Sequence, residues 1–463
     1  MTDTPSTGLP AHSHPALPVS PADPPAALSH GTIDGPPGAS GASTVEPPRR
    51  NFTLLLLQGS SYGMAGKLAS TNIVLPFLCA ALGGSLLVAG LLVPLGTIGT
   101  LVGYTLGPTA LATRLRSRTV MALMSVASAA LLFVLATVSL TMADRSLAVN
   151  LTFVVVALGT GLTSGIGSIA FTDVLARGVH PERRSTLLLS QAAVGGALAS
   201  VVAILSAWVF AGRDPIVGHI ALQWFASGFL LLSAGCAFFI VVEHVPGRAG
   251  QRPNLAATFR AGIAATRRYA WLRQYLVRQI LFISVTLATT FFSIRTAALH
   301  GSVPGSLAVI IAVTSTSLVL GALLWHRVLR LRGYRGMLVD GTICSTVAAF
   351  GAVTIERLGL VGESALNHAA LLLLATLAAD AVSVAKSAYL VEHAPPAELH
   401  ELSAFAQLTI GIASAVFAAV IATLAQIHGT VWPPAILLGL NLLAVGAAWR
   451  MPRTADAATT AQT

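Results

Sequence analysis

The chain has 463 residues, of which 54% are hydrophobic and 10% are charged, with a formal net charge of +10. Soluble domains carry about 25% charged residues, and a single globular core cannot hide this much apolar side chain from water. The composition therefore excludes an ordinary soluble domain and predicts a lipid bilayer as the main solvent of the chain.

The positive charge does not indicate a nucleic-acid-binding protein. The basic residues stand in short clusters between apolar runs, which is the arrangement that orients membrane helices. The cysteines Cys79, Cys236 and Cys344 each stand alone in an apolar run, so they give neither a disulfide framework nor metal-ligand spacing. We predict no metal, no cofactor and no nucleic-acid partner.

Both ends of the chain differ in composition from the rest. Residues 1–48 are rich in proline, serine and small residues, and 453–463 are also polar. Such segments bury too little apolar surface to offset the entropy of ordering, so we predict disorder. No basic start precedes an apolar stretch, so the N-terminal segment is not predicted to be a cleavable signal peptide.

Twelve apolar segments are long enough to cross a bilayer, which takes about 20 residues. They are 52–80, 86–112, 119–141, 147–172, 185–210, 218–242, 275–299, 306–326, 337–356, 366–390, 402–426 and 431–449. We predict an all-α polytopic membrane protein with twelve transmembrane helices in two six-helix halves, 49–242 and 275–452. A cytoplasmic central loop, 243–274, joins them.

The basic residues also predict the orientation. With the N-terminus in the cytoplasm, inner loops hold twenty of the 27 Lys and Arg residues, and outer loops hold Arg145, Arg213 and Arg357. Inner loops of membrane proteins carry such an excess of Lys and Arg. One missed span would exchange inside and outside for all later loops, so the asymmetry favours twelve spans with both termini in the cytoplasm.

Local motifs accompany this layout. Asn72 with Leu75-Pro76 ends the first span, the stretch 173–184 follows the fourth, and the stretch 386–391 ends the tenth. Together with the six-loop-six layout, they resemble the major facilitator superfamily, including drug exporters and an uncharacterised bacterial permease branch. The resemblance covers about 50–452. It implies a secondary transporter of a bacterial inner membrane that works by alternating access.

Two superfamily motifs are missing. The gate aspartate of loop 2–3 is replaced at or next to Leu111, and Arg330 stands at the equivalent place in the second half. The stretch 191–200 of helix five holds Gly195-Gly196 but no proline, unlike the antiporter signature. The resemblance therefore leaves the gating ion pair and proton coupling open.

In this superfamily, helices 1, 4, 7 and 10 line the central cavity. Charged residues inside the spans fall on these helices, namely Lys67, Arg295, Asp380 and Lys386. An ionisable group in hydrocarbon is costly unless it faces protein or water. The resulting candidates for binding solute or protons are Lys67, Thr71, Thr376, Asp380, Ser383 and Arg295.

The polar residues share helix faces with these charges. Thr376, Asp380 and Ser383 step by four and three residues, and Lys67 and Thr71 step by four. On helix four, Thr160, Ser164, Ser168 and Thr172 recur every fourth residue beside glycines, for which we favour helix packing.

Lys67 and Asp380 have two possible roles. Either Asp380 binds a proton or cationic group while Lys67 binds a carboxylate, or a permanent ion pair holds helices 1 and 10 together. Arg295 is expected to be exposed near the outer mouth, and Arg278 is expected to anchor helix 7 at the cytoplasmic surface. The candidates for an inner-gate network are Asp173, Arg177, Arg183, Arg184, Arg114 and Arg330.

The leading functional hypothesis is transport of a small solute, with or without proton coupling. Lys67 and Arg295 against Asp380 favour an anionic or zwitterionic solute. The alternatives are a proton-coupled exporter of drugs or metabolites, and a non-transporting sensor or scaffold, which the missing gate aspartates motivate. His, Cys and acidic residues do not cluster at one depth, so an enzyme acting on lipid is not predicted.

Overall fold

The computed structural model describes residues 49–111, 116–142, 145–241, 255–359, 365–395 and 399–451. The predictions for 1–48, 453–463 and Arg114 fall outside these residues. The described chain forms helices α1 (Arg49–Leu68), α2 (Val74–Ala81), α3 (Leu86–Leu111), α4 (Ser117–Thr141), α5 (Ser146–Gly178), α6 (Pro181–Val209), α7 (Pro215–Phe238), α8 (Leu255–Arg268), α9 (Ala270–His300), α10 (Ser306–Arg357), α11 (Ala365–His393), α12 (Leu399–His428) and α13 (Trp432–Trp449). The predicted all-α class is confirmed.

Ten of the helices in the described residues are long and apolar enough to cross a membrane, namely α3 to α7 and α9 to α13. Large apolar side chains such as Leu147, Leu189, Leu323 and Phe350 are exposed on them. In lipid such exposure carries no hydrophobic penalty, so these surfaces fit a membrane protein. We call the helix ends predicted to face away from the cytoplasm the outer ends.

The first predicted span is two helices rather than one. Between α1 and α2, the amides of Val74 and Leu75 both donate to the carbonyl of Ser70. Pro76 lacks an amide proton and its ring disfavours a helical carbonyl four residues earlier, which is consistent with a new helix beginning just before it. The side chain of Gln223 on α7 donates to the carbonyl of Leu68 (3.0 Å) and so satisfies a buried carbonyl at the end of α1.

The eighth and ninth predicted spans lie within one long element, α10. At Gly333 the backbone leaves helical geometry with φ 65° and ψ −171°. This φ is open to glycine at little steric cost. An unbroken helix of 52 residues would be about 78 Å long, far longer than a bilayer is thick, so the break separates two membrane-length pieces.

The predicted central loop contains a helix that the sequence reading missed. Helix α8 packs on α12, where the rings of Phe259 and Phe405 lie 5.6 Å apart edge to face. Its signal was the four-residue spacing of Leu255, Phe259 and Ile263, typical of an amphipathic helix.

Two sets of helices meet along a few seams. Within the first set, α1 to α7, helix α3 packs tightly on α5; within the second set, α9 to α13, helix α10 packs on α11. Between the sets, α3 runs along α12, α6 along α10, and α2 against α9. The α3–α5 contact depends on glycine, since a Cβ at Gly161 would lie 2.1 Å from the carbonyl oxygen of Gly96.

Candidate functional site

Lys67 and Asp380 come from different helix sets and lie within electrostatic range of each other. Lys67 lies in the last turn of α1, next to the break before α2. Asp380 lies in the middle of α11, and the two charges interact electrostatically. In the described structure they nevertheless form no ion pair, and Oδ2 of Asp380 is buried without a hydrogen-bond partner. The described structure therefore shows no permanent Lys–Asp bond between α1 and α11.

A cavity of about 290 Å³ opens between α1, α3, α4, α5 and α7, and Gly66 and Ala69, which flank Lys67 in the sequence, line it. We call it the hydroxyl cavity because Ser and Thr side chains dominate its polar lining. None of the described residues that line it is charged. The polar lining residues are Tyr62, Thr71, Asn72, Thr97, Thr100, Ser128, Thr160 and Ser164.

Several of these hydroxyls already donate a hydrogen bond to the backbone of their own helix. Thr97 donates to the carbonyl of Val93 (3.0 Å) and Thr100 to that of Gly96 (2.9 Å). Thr160 donates in the same way to the preceding turn of α5. A hydroxyl that donates to its own helix keeps lone pairs free to accept, so the cavity wall offers acceptors to the O–H or N–H groups of a solute.

The polar face of α11 runs from buried to exposed. Thr376 is buried and donates to the carbonyl of Leu372, whereas Ser383 is exposed. Lys386, further along α11, forms no ion pair in the described residues, and the Tyr275 hydroxyl donates to its carbonyl (3.3 Å). Along the stripe that the sequence predicted, Asp380 lies between the buried Thr376 and the exposed Ser383.

The environment of Arg278 differs from that expected of a side chain anchored at the cytoplasmic surface. It lies one turn beyond Tyr275 on α9, and its Nη1 atom is buried with no hydrogen-bond partner among the described residues. A shielded guanidinium of this kind is costly in a membrane unless water or a ligand reaches it.

The expectation that Arg295 is exposed is wrong. Its side chain is 14% exposed and forms a bidentate ion pair with Glu356 on α10, with Nη2 and Oε2 2.8 Å apart. Arg295 also donates to the hydroxyl of Thr430. A buried, doubly bonded guanidinium is a structural tie between helices, and Glu356 was overlooked because it lies at a predicted span end.

The inner-gate candidates divide into separate groups. Asp173 pairs with Arg177 one turn later and accepts from the hydroxyl of Ser117 at the start of α4. Arg184 instead donates to the carbonyls of Ala176 and Val179 at the end of α5. Among the contacts that the structure describes, Asp173, Arg177 and Ser117 form one group.

The two remaining basic candidates stand apart from that group. Arg183 and Arg330 are exposed. Neither residue contributes to the contacts of Asp173 that the structure describes.

The two helix sets are bonded to each other at the outer ends. The hydroxyl of Ser293 on α9 donates to the carbonyl of Ile73. Nε2 of His219 donates to the carbonyl of Gly301 (3.2 Å). Ser85, just before α3, donates to Oε1 of Gln426 on α12 (3.1 Å). These contacts hold the outer ends of the helix sets together.

The comparisons with known proteins agree with this architecture. No family model matches the chain. The uncharacterized protein Rv2209 of Mycobacterium tuberculosis (strain H37Rv) is 31% identical over 411 residues, which cover 88% of this chain and 78% of the relative. The uncharacterized protein Mb2232 of Mycobacterium bovis matches equally. The chain belongs to the family of these mycobacterial proteins.

Solved structures show the fold. A mutant of the nucleoside transporter NupG has a TM-score of 0.65 at 11% identity, covering 87% of this chain and 100% of that one. The inward open xylose transporter XylE from E. coli scores 0.61 at 15%, covering 87% and 96%. An inward-facing bacterial homologue of the iron transporter ferroportin scores 0.59 at 17%, covering 87% and 98%. The protein has the major facilitator fold, as the sequence motifs predicted.

Sequence reasoning found part of this site. It singled out Thr71, which lines the hydroxyl cavity, but missed Tyr62, Asn72, Thr97 and Thr100. Thr97 and Thr100 lie on the second predicted span, which the resemblance did not count among the cavity helices. Their signal was a series of hydroxyls among the glycines of α3.

Proposed function

We propose that this protein is a secondary transporter that moves a small anionic or zwitterionic solute across the bacterial inner membrane by alternating access. The observation that carries the proposal is the presence of Lys67 and Asp380, one in each helix set, inside predicted spans and without an ion pair in the described residues. Charges inside a membrane protein persist where they face water, a partner or a ligand. A solute held between two halves that rock about it would meet both charges.

The helices support a twelve-span topology with cytoplasmic termini. In this proposal α1 and α2 together make one span, α10 makes two spans around Gly333, and α8 lies on the cytoplasmic surface. The halves are then 49–242 and 275–452, joined by 243–274.

The charges near the proposed path support an anionic or zwitterionic solute. In the described residues Lys67, Lys386 and Arg278 form no ion pair, and Asp380 is the acid within electrostatic range of Lys67. The hydroxyl cavity, which sequence neighbours of Lys67 line, adds hydrogen-bond acceptors for polar groups of the solute. Hydroxy acids and amino acids combine both kinds of group.

The outer contacts support an inward-open conformation. Bonds between the helix sets at Ile73–Ser293, His219–Gly301 and Ser85–Gln426 would close the path to the outside. Alternating access then requires these contacts to break while the cytoplasmic ends approach, with Asp173 and Arg177 contributing to the inner gate.

Asp380 also favours a second candidate, a proton-coupled exporter of drugs or metabolites. A carboxyl group with a buried oxygen that has no partner among the described residues can carry a proton in place of a bonded cation. The direction of transport separates the two candidates, since a proton-coupled exporter would expel cationic dyes in exchange for protons that flow inward.

Counterflow in proteoliposomes tests the proposal. Full-length protein is reconstituted into liposomes that are preloaded with one unlabelled member of a panel of hydroxy acids, amino acids and cationic dyes. Liposomes loaded with a substrate should accumulate the same compound, labelled, from outside. Asp380→Asn and Lys67→Gln should each reduce this uptake at least tenfold. Asp340→Asn is the matched control, because Asp340 pairs with the exposed Arg332 on α10. Silence across the panel would favour the sensor or scaffold hypothesis.

A further inference from the structure

A second cavity, of about 230 Å³, lies between α1, α4, α5 and α6. It is nearer to the start of α1 and the end of α5 than the hydroxyl cavity, so we call it the inner cavity. The lining residues are Gln58, Gly59, Tyr62, Gly63, Met121, Met124, Ser125, Thr163, Gly167, Ser168, Phe171 and Gln191.

Tyr62 stands between the two cavities. It lines both of them, and it is the one residue that their described linings share. The inner cavity is therefore distinct from the hydroxyl cavity and lies on its cytoplasmic side.

The inner cavity has two chemically different walls. Met121, Met124 and Phe171 supply thioethers and an aromatic ring, which pack adaptably against flat apolar groups. The amides of Gln58 and Gln191, contributed by α1 and α6, supply polar groups to the same cavity. None of the described lining residues is charged, so an ionised ligand would find no counter-charge there.

One amide oxygen at this wall lacks a donor. Gln58 is 3% exposed and donates through Nε2 to the hydroxyl of Ser233 (3.1 Å), but its Oε1 has no partner in the part of the chain that the structure describes. Gln191 is 7% exposed and is fixed by a bond from Nε2 to the carbonyl of Leu55 (2.7 Å). A buried acceptor without a donor is costly, and a ligand N–H or O–H would satisfy it.

We propose that the inner cavity is a binding site for a small neutral amphiphile with one hydrogen-bond-donating edge and one flat apolar face. An aromatic amide or alcohol has this chemistry. Its donor would bond to Oε1 of Gln58, and its ring would lie against Met121, Met124 and Phe171. This site is separate from the proposed solute site and does not depend on transport.

Two glycines of α1 provide a matched test of location. Gly63 lines the inner cavity and Gly66 lines the hydroxyl cavity, and a Cβ at either position meets nothing within 4 Å. Gly63→Leu would fill the inner cavity, and Gly66→Leu places the same side chain in the other one. With benzamide as the probe, saturable binding by ligand-observed NMR should weaken at least tenfold in Gly63→Leu only.

Two further probes test the chemistry. Acetophenone has the shape of benzamide without its N–H, so the wild-type chain should bind benzamide about fivefold more tightly, the worth of one net hydrogen bond. Gln58→Met, which keeps the volume, should abolish that difference while both probes still bind. Benzoate should bind at least tenfold more weakly than benzamide.

Three outcomes would overturn the proposal. They are non-saturable partitioning of benzamide into detergent, equal weakening in both glycine variants, and equal binding of benzoate. All readouts are binding to purified full-length protein, so a failure here leaves the counterflow result untouched, and a silent counterflow panel leaves the site standing.

Discussion

Arg295 and Glu356 form a two-point ion pair that ties α9 to α10 at the outer end. Nε lies 2.5 Å from Oε1 and Nη2 lies 2.8 Å from Oε2, while Nη1 donates to Thr430 at 2.9 Å. Each side chain is 14% exposed, so water screens the pair weakly. Removing one partner of a buried pair strands the other charge.

We therefore expect Glu356→Gln to lower the free energy of unfolding by about 3–5 kcal/mol. Thermal unfolding in detergent measures this loss. Asp340→Asn breaks the pair with Arg332, whose side chain is 59% exposed, and should cost about 0–1 kcal/mol. The double variant Arg295→Met/Glu356→Met should recover most of the stability, because no stranded charge remains.

The unbonded state of Lys67 and Asp380 predicts an outcome for exchanging their charges. If each residue binds the solute in its own half, Lys67→Asp/Asp380→Lys should remain inactive in counterflow. Restored uptake would instead support a permanent pair holding α1 and α11 together. Asp380→Asn should leave the melting temperature unchanged or raise it, since Oδ2 makes no bond to the described residues that the amide would lose.

Closure of the outer ends predicts that tying them together stops transport. Cysteines at Ser85 and Gln426 join α3 to α12 across the helix sets. In a background without the three native cysteines, a short bifunctional thiosulfonate should abolish counterflow, and reduction should restore it. The matched control is Arg332→Cys/Asp340→Cys, an accessible pair within the second set whose side chains are 59% and 24% exposed. Crosslinking it should spare uptake.

The packing of α5 on α3 predicts different costs for two neighbouring glycines. A Cβ at Gly165 would lie 2.3 Å from the backbone oxygen of Thr100, whereas one at Gly167 would meet only Cβ of Met124 at 3.6 Å. Gly165→Ala should cost about 1–3 kcal/mol of stability, the usual cost of overpacking. Gly167→Ala should be neutral in the same unfolding assay. Equal effects would mean that α3 and α5 do not approach closely.

The twelve-span topology predicts which side of the membrane each loop faces. A cysteine at Arg213, between α6 and α7, should react with a membrane-impermeant maleimide added to intact cells. One at Arg267 on α8 should react only after permeabilisation. Labelling of both positions from outside would show that the number of crossings before α8 is wrong.

Sequence reasoning predicted the candidate site only in part. Thr71 and Asp380 were identified because polar residues in an apolar run stand out locally. Tyr62 and Thr100 were not identified, because a tyrosine or threonine in a membrane helix is as common in helix–helix packing as in the wall of a cavity. Their membership of a cavity wall depends on which helices stand around them.

The sequence by itself determined that the chain is a membrane protein built of helices, and it located most of them within a few residues. Apolar length and the placement of Arg and Lys are local quantities, and lipid allows few backbone structures besides a helix. Only the tertiary structure decided which charges are bonded. Arg295 and Glu356 are 61 residues apart yet paired, while Lys67 and Asp380 form no ion pair within the described residues. Partners in a low-dielectric interior are chosen by the packing of distant helices, which no local pattern encodes.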